Sequence, residues 1–236
     1  MKIIGLIGGI SWVSTIEYYR IINEEVNKRL GGIHSAKCII YSVDLGELKE
    51  YQERGDWDSV AKILANAAKS LEKAGADVIL ICANTMHKVA DIIEGEVKVP
   101  IIHIADATAE KIKERGLTSV GLLGTKFTME EDFYKERLRR HGIEVLVPDK
   151  KEREIVNSII YDELVKGIIR DESKQKLINI INRLADRGAQ GVILGCTELP
   201  LLAKEEDVKI PIFDTTKIHA ISAVEFIFKN KGGFGL

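Results

Sequence analysis

Two short segments of the 236-residue chain carry side chains that can perform acid–base chemistry: residues 81–85 (ICANT) and 194–198 (LGCTE). Each segment follows an apolar run, and each contains a thiol beside hydroxyl or amide groups that could bind a carboxylate. Cys196 is the stronger candidate, because a thiol at the start of a helix lies near backbone N–H groups that favour the reactive thiolate. The alternative for this residue is a small apolar side chain that fills space in the core.

The elements that position these segments repeat along the chain. Short Val/Ile/Leu-rich runs alternate with longer helical patterns, which is typical of parallel strands covered by helices on both faces. Three pairs of segments also match in the same order at nearly the same offset: 4–8 with 120–124, 71–80 with 184–193, and 100–102 with 211–213.

We therefore predict an α/β fold with two similar lobes, each a parallel sheet flanked by helices. The lobes are related by an internal duplication, and the active site lies between them, because ligands bind at the carboxyl ends of parallel strands. The predicted domains are 1-105 plus about 210-236 for the first α/β lobe and 106-209 for the second.

The repeat also predicts which residues correspond in the two segments. Ala83 matches Cys196 and Asn84 matches Thr197, whereas Cys82 falls one residue too early. A step of one residue along a strand reverses the direction of the side chain. We therefore expect Cys82 to pack in the core, although it stays a possible second acid/base.

Two glycine-containing loops follow the first strand of each half: residues 8–15 (GGISWVST) and 124–128 (GTKFT). Their backbone N–H groups and hydroxyls, led by Ser11 and Thr125, could hold a carboxylate or phosphate. Helix capping by the same hydroxyls is the alternative, and both roles can coexist. The glycine spacing differs from a dinucleotide fingerprint, and the acid Asp44 comes too late for one. We therefore do not expect NAD.

Composition excludes several classes of partner. The 34 Lys+Arg against 36 Asp+Glu give a net charge of -2, so we expect no nucleic acid to bind. No apolar run approaches the ~20 residues of a membrane span, and we expect neither a membrane partner nor a signal peptide. Three cysteines are too few for a disulfide framework, which favours the cytoplasm.

No metal site is expected, because the five histidines lack metal-ligand spacing. His87 is the histidine nearest to a candidate loop, and a structural donor is the simpler interpretation of it. Gln52 could contact a substrate side chain or be an ordinary polar residue of a helix.

The motifs at residues 4–9 (IGLIGG), 84–85 (NT) and 195–198 (GCTE) together resemble the aspartate/glutamate racemase family, and the similarity covers essentially the whole chain. The resemblance implies a pseudo-symmetric two-lobe fold that works without pyridoxal phosphate or another cofactor. In that family two cysteines, one per lobe, remove and return the α-proton of an amino acid. The resemblance also implies a homodimer and a small-molecule substrate, an amino acid or dicarboxylate.

Carried onto this chain, the resemblance makes Cys196 the catalytic acid/base. The residues expected to bind substrate are Ser11, Gln52, Asn84, Thr85, Thr125, Thr197 and Glu198. The basic residues that aspartate racemases use for the side-chain carboxylate are not clearly matched, with Lys166 one residue out of place and Lys49 a plausible stand-in.

The chain departs from the family at Ala83, which stands where the first cysteine is expected and cannot carry a proton. Three functions fit this departure. The first is an amino-acid racemase or epimerase in which Cys196 acts on one face and Cys82, Thr85 or water acts on the other. The second is a single-thiol lyase, similar to aryl-malonate decarboxylases. The third is an inactive homologue that binds small carboxylates. Overall similarity favours the racemase.

Overall fold

The structure is a computed structural model that describes residues 1–229. Within this range the chain divides into two compact units. One unit contains Met1–His103 together with the segment from His219 onward, and the other is Ile104–Ile218.

The first unit contains a three-stranded parallel sheet in the order β2-β1-β3. Every residue of β1 and β3 is buried, because helices cover both faces of the sheet. Its strands are β1 (Ile4–Gly8), β2 (Cys38–Ser42) and β3 (Val78–Ile81), and its helices are α1 (Trp12–Leu30), α2 (Leu45–Glu53), α3 (Trp57–Lys73) and α4 (Ala90–Glu94).

The second unit contains a four-stranded parallel sheet in the order β5-β4-β6-β7. Its strands are β4 (Ser119–Gly124), β5 (Glu144–Leu146), β6 (Val192–Gly195) and β7 (Ile212–Asp214). Its helices are α5 (Ile104–Glu114), α6 (Lys126–Glu130), α7 (Asp132–Arg140), α8 (Lys150–Ser158) and α9 (Asp171–Asp186), and α10 (Thr215–Lys229) begins here and ends in the first unit.

The strand registers confirm the internal duplication. In the first sheet Gly5 is opposite Ile79, and in the second the matching residues Gly121 and Val192 are opposite each other. The third repeated segment follows the same rule: Ile101 bridges to Ile79, just as Ile212 pairs with Val192. The two-lobe α/β fold predicted from the repeat is therefore correct.

Close packing explains why glycine occurs at the matching positions of β1 and β4, the central strands of the two repeated segments. A Cβ on Gly5 would lie 3.3 Å from Leu71 Cβ, and one on Gly121 would lie 3.4 Å from the matching Leu184 Cβ. Each would also come within 2.9 Å of a neighbouring side-chain carbon. Glycine at both positions lets the crossing helix pack closely on the strand.

The structure differs from the sequence-based prediction at the return to the first unit. The sequence predicts that the first lobe resumes at about residue 210, but β7 hydrogen-bonds to β6 and Phe213 is buried in the core of the second unit. The first unit instead resumes at His219, and the part of the prediction at 230–236 lies outside the described residues. A short apolar strand cannot be assigned to one of two parallel sheets from its own sequence, because both offer the same kind of neighbour.

Between β3 and α5, Ile101 forms an isolated bridge to Ile79, and α5 begins at Ile104. No helix formed by residues 1–229 combines the length and the apolar character that a bilayer span requires.

Candidate functional site

The loop after β6 brings a thiol and a carboxylate together. Cys196 Sγ donates a hydrogen bond to Glu198 Oε2 at 3.0 Å, and Thr197 Oγ1 donates to the same oxygen at 2.6 Å. Cys196 is 9% exposed and Glu198 is 6% exposed. Because this carboxylate accepts two hydrogen bonds in a nearly dry site, its oxygen is fixed beside the sulfur.

The environment of Cys196 makes its thiol a weaker acid than a free cysteine. Burial raises the pKa of this thiol well above its usual value, and the charge of Glu198 and its hydrogen bond raise the pKa further. Backbone hydrogen bonds from Glu198 and Thr197 act in the opposite direction but do not outweigh these causes.

The expectation that the loop favours ionisation of Cys196 is therefore wrong. The loop leads into a three-residue 3-10 turn, Leu199–Leu201, rather than a helix with aligned peptide dipoles. The resting group is a neutral thiol that donates a proton to a carboxylate.

The corresponding loop after β3 has no such pair. Cys82 is completely buried in an apolar cluster with Ile4, Tyr18 and Val224, and burial raises the pKa of its thiol. Ala83 packs instead against the cluster on the opposite side of the strand. The expected packing of Cys82 therefore agrees with the structure, and its surroundings oppose a role in proton transfer.

A buried histidine fixes the backbone of this first loop. His87 Nδ1 donates to the carbonyl oxygen of Ala83 at 2.7 Å, since a carbonyl can only accept. The ring of His87 also contacts the rings of His103 and His219, at centroid distances of 4.5 and 5.5 Å. This cluster joins the loop to distant parts of the first unit.

His219 is held as a neutral ring within the same cluster. Its Nε2 donates to the Ile102 carbonyl oxygen at 2.7 Å, so its Nδ1 accepts from the Tyr18 hydroxyl at 2.8 Å. Burial lowers the pKa of His219 to about 4. Sequence reasoning missed this cluster because the three histidines are far apart in the chain. Among residues 1–229 no group of three or more His, Cys, Asp or Glu side chains is arranged to hold a metal ion.

Both predicted carboxylate-binding hydroxyls are helix caps. Ser11 Oγ accepts from the Ser14 N–H at 3.5 Å at the start of α1, and Thr125 Oγ1 accepts from the Thr128 N–H at 3.4 Å at the start of α6. Ser11 has φ 74°, and no other non-glycine residue in the described part of the chain has a positive φ. Such a backbone costs about 1–3 kcal/mol and is concentrated at functional sites.

The remaining predicted site residues lie in the first unit. Gln52, on α2, is 9% exposed, and Asn84, whose carbonyl accepts from the His87 N–H at 3.1 Å, is 4% exposed. Thr85 begins the 3-10 turn Thr85–Val89. Lys49 is exposed and pairs with Glu53 at 3.8 Å.

The predicted residues are thus divided between the units. Ser11, Gln52, Asn84 and Thr85 belong to the first, whereas Thr125 and residues 196–198 belong to the second. Among the predicted residues, Cys196 and Thr197 both donate hydrogen bonds to Glu198 within the second unit. That the two sets face one substrate stays a prediction.

Comparison with known proteins shows which family the sequence matches and which proteins it is similar to. The sequence model of the Asp/Glu/Hydantoin racemase family matches residues 7–223. The broad specificity amino-acid racemase RacX of Bacillus subtilis (strain 168) is 28% identical over 225 residues, which are 94% of this chain and 96% of RacX.

Two solved structures are similar over nearly their whole length. A candidate Asp/Glu racemase from Yersinia pestis is 55% identical with a TM-score of 0.91, and the match covers 96% of this chain and 99% of that one. An aspartate racemase homologue from Pyrococcus horikoshii OT3 is 43% identical with a TM-score of 0.85, with the same coverage of 96% and 99%.

Proposed function

Because the chain belongs to the Asp/Glu/Hydantoin racemase family, we propose that it is an amino-acid racemase with Cys196 as the acid–base group at the substrate α-carbon. The observation that carries this assignment is the hydrogen bond of 3.0 Å between Cys196 Sγ and Glu198 Oε2. We assign Glu198 to the thiol rather than to the substrate, because Cys196 and Thr197 both donate to its carboxylate.

The thiol and the carboxylate share one proton. In the resting state the proton is on sulfur, and its transfer to Glu198 leaves a thiolate beside a carboxylic acid. The thiolate then takes the α-proton of the substrate, and the electron pair of the broken C–H bond moves onto the substrate carboxylate. Burial favours this step, because a desolvated thiolate is a stronger base than a solvated one.

The carbanion needs hydrogen-bond donors, because the α-proton of an amino acid is only weakly acidic. We propose the Ser11 and Thr125 loops for this role, since both present hydroxyls and backbone N–H groups at helix starts. Asn84, Thr85, Gln52 and Thr197 are proposed as further contacts to a small carboxylate substrate, an amino acid or dicarboxylate. The proposed reaction is independent of pyridoxal phosphate.

The proton on the other face must come from a group other than a matching thiol, because Ala83 occupies the corresponding position. Cys82 is not proposed, since its thiol lies inside an apolar cluster. We propose that Thr85 or a water molecule supplies this proton. The consequence is slow racemisation, with exchange at the α-carbon faster than inversion.

A single-thiol lyase is the second candidate, and the protonated state of Cys196 favours it. Loss of CO₂ from a substituted malonate would generate the carbanion without a base, and one thiol would then be enough to protonate it.

We also propose a cytoplasmic location, which the free thiols Cys38, Cys82 and Cys196 support, and a second copy of the chain as partner.

Proton exchange in D₂O tests the proposed function. The protein is incubated with a panel of L- and D-amino acids, loss of the α-proton signal is followed by NMR, and handedness is followed by chiral chromatography. We expect deuterium at the α-carbon of at least one amino acid, together with slower inversion of both enantiomers.

Three other outcomes of this experiment would contradict the proposed racemase activity. Deuterium without any change of handedness would show one-base exchange and would contradict a racemase. Release of CO₂ from a substituted malonate without exchange would identify the lyase. Ligand binding with neither reaction would identify an inactive carboxylate-binding protein.

A further inference from the structure

A groove on the second unit lies between the start of α8 and the end of α9. Its volume is about 460 Å³, and small-molecule sites typically enclose roughly 300–1,000 Å³. Three guanidinium groups line it: Arg153 belongs to α8, Arg183 to the last turn of α9, and Arg187 to the residue that ends α9. We call this cavity the α8–α9 groove.

Two of the arginines are positioned by the loop between β5 and α8. Arg187 Nη1 donates to the carbonyl oxygen of Val147 at 2.9 Å, and Arg153 Nη1 donates to that of Pro148 at 2.8 Å. These carbonyl groups are consecutive, so both guanidinium groups are held at the same short stretch of chain. Side chains that are ordered before a ligand arrives lose less conformational entropy when it binds.

The two acidic residues that line the groove are engaged by the protein itself. Asp149 Oδ1 accepts from the Glu152 N–H at 2.9 Å, and Glu152 Oε2 accepts from the Asp149 N–H at 3.1 Å, which caps the start of α8. Glu152 Oε1 also accepts from Arg183 Nε, and Glu152 is buried. These carboxylates therefore fix the helix start and one guanidinium group.

The arginines keep N–H groups that other parts of the chain do not use. Arg183 is bound to Glu152 through Nε alone, which leaves Nη1 and Nη2. Arg187 donates only through Nη1, and no carboxylate within residues 1–229 pairs with it. Arg153 uses Nε for Glu130 and Nη1 for a carbonyl oxygen, which leaves Nη2. Since each guanidinium has five N–H donors in a rigid fork, the groove has a surplus of donors.

A phosphate group suits this surplus better than a carboxylate does. Guanidinium groups bind phosphate oxygens through paired hydrogen bonds. Arg183 and Arg187 are four residues apart and so lie on the same side of α9, whereas Arg153 approaches from another helix. A phosphomonoester has three terminal oxygens in a tetrahedral arrangement and can accept from several directions, whereas the two oxygens of a carboxylate lie in one plane.

We propose that the α8–α9 groove binds a small phosphomonoester, with its phosphate on Arg183 and Arg187 and its organic part against Val147 and Pro148. The volume of the groove is several times that of a phosphate group, so inorganic phosphate would leave much of it to water. The apolar side chains of Val147 and Pro148 line the remaining space.

The groove is a binding site rather than a second active site. Its lining contains no cysteine, serine, threonine or histidine that could act as a nucleophile. It also contains none of the residues to which the proposed function assigns a role. The ligand is therefore expected to leave the protein chemically unchanged, and the inference does not rest on racemase activity.

Isothermal titration calorimetry of the full chain with phenyl phosphate, at physiological ionic strength, tests the proposal. We expect one phenyl phosphate per chain with a Kd below about 1 mM. Benzoate carries the same ring on a carboxylate, and it should bind at least about tenfold more weakly, because it offers fewer acceptor oxygens to the three guanidinium groups.

Two variants locate the bound phosphate. Arg187→Gln and Arg183→Gln should each raise the Kd for phenyl phosphate at least about tenfold, because each removes a charged fork. The glutamine at position 183 can still donate to Glu152. Arg115→Gln is the matched control, since Arg115 is exposed, pairs with Glu205 at 3.5 Å and lies outside the groove lining, and its Kd should stay unchanged.

Three results would overturn the proposal: no saturable binding of phenyl phosphate, equal affinity for benzoate, or an unchanged Kd in either groove variant. Circular dichroism of each variant establishes that it is folded. A wild-type protein that binds phenyl phosphate as expected but exchanges no α-proton in D₂O would refute the proposed function and leave the groove proposal intact.

Discussion

The loops after β3 and β6 occupy the same place in two copies of one scaffold, yet only one of them carries acid–base groups. Both follow strands in matching register, so Ala83 and Cys196 hold corresponding backbone positions. The second loop adds a thiol and a buried carboxylate, whereas the first has a methyl group at the corresponding position. Duplication thus preserved the scaffold, while the chemistry depends on single side chains.

The two loops are also stabilised by different means. The first is tied by His87 to a cluster of three imidazole rings, and burial lowers the pKa of His219 in that cluster to about 4. The second is held by hydrogen bonds to an acidic side chain, Glu198. The first arrangement fixes a backbone, and the second fixes a reactive atom.

The largest effect on α-proton exchange is expected from substitution of Cys196, and Cys82 in the other loop is the control. Cys196→Ser should lower α-proton exchange by about 10²–10⁴-fold, because the serine hydroxyl is a far weaker acid than the thiol. Cys82→Ala should keep most of the activity, since its thiol packs in the core. Exchange rates in D₂O check both variants, and retention of activity in Cys196→Ser would refute the assignment.

A smaller effect is expected when the first loop is given the missing thiol. Ala83→Cys should increase inversion relative to exchange by about tenfold or more, because a proton donor then exists at the corresponding position of both loops. Ala83→Ser is the control of similar size, and its hydroxyl should give no gain. Chiral chromatography measures inversion, and an unchanged ratio for Ala83→Cys would show that the repeat does not predict the second group.

The smallest effect is expected from neutralising the carboxylate beside the thiol. Glu198 raises the pKa of Cys196, so Glu198→Gln should lower that pKa and move the thiol-dependent limb of the pH–rate profile to lower pH. The lower pKa makes the thiolate more abundant, whereas loss of the proton acceptor slows its formation, so exchange at neutral pH should change by less than about tenfold.

The matched control for this variant is Glu205→Gln, which neutralises an exposed carboxylate that pairs with Arg115 at 3.5 Å. Its pH–rate profile should match that of the wild-type protein. If the limb stays in place in Glu198→Gln as well, the carboxylate does not influence the thiol.

Much of the scaffold could be predicted from the sequence, because burial and strand pairing require apolar residues, glycines and prolines at regular positions along the chain. The repeated glycines at 5 and 121 and the repeated prolines at 100 and 211 give the registers that the structure shows. The burial of Cys82 follows from a one-residue step along a strand. The unit to which β7 belongs could not be predicted, since its pairing partner is chosen by packing.

The sequence by itself determined the duplicated α/β fold, the family, and the replacement of one expected cysteine by Ala83, because these depend on residue types and their order. Only the tertiary structure decided that the Cys196 thiol is neutral, that Glu198 is its partner, and that His87, His103 and His219 form one cluster. Burial and distance between side chains fix these properties, and neither is encoded in the order of residues alone.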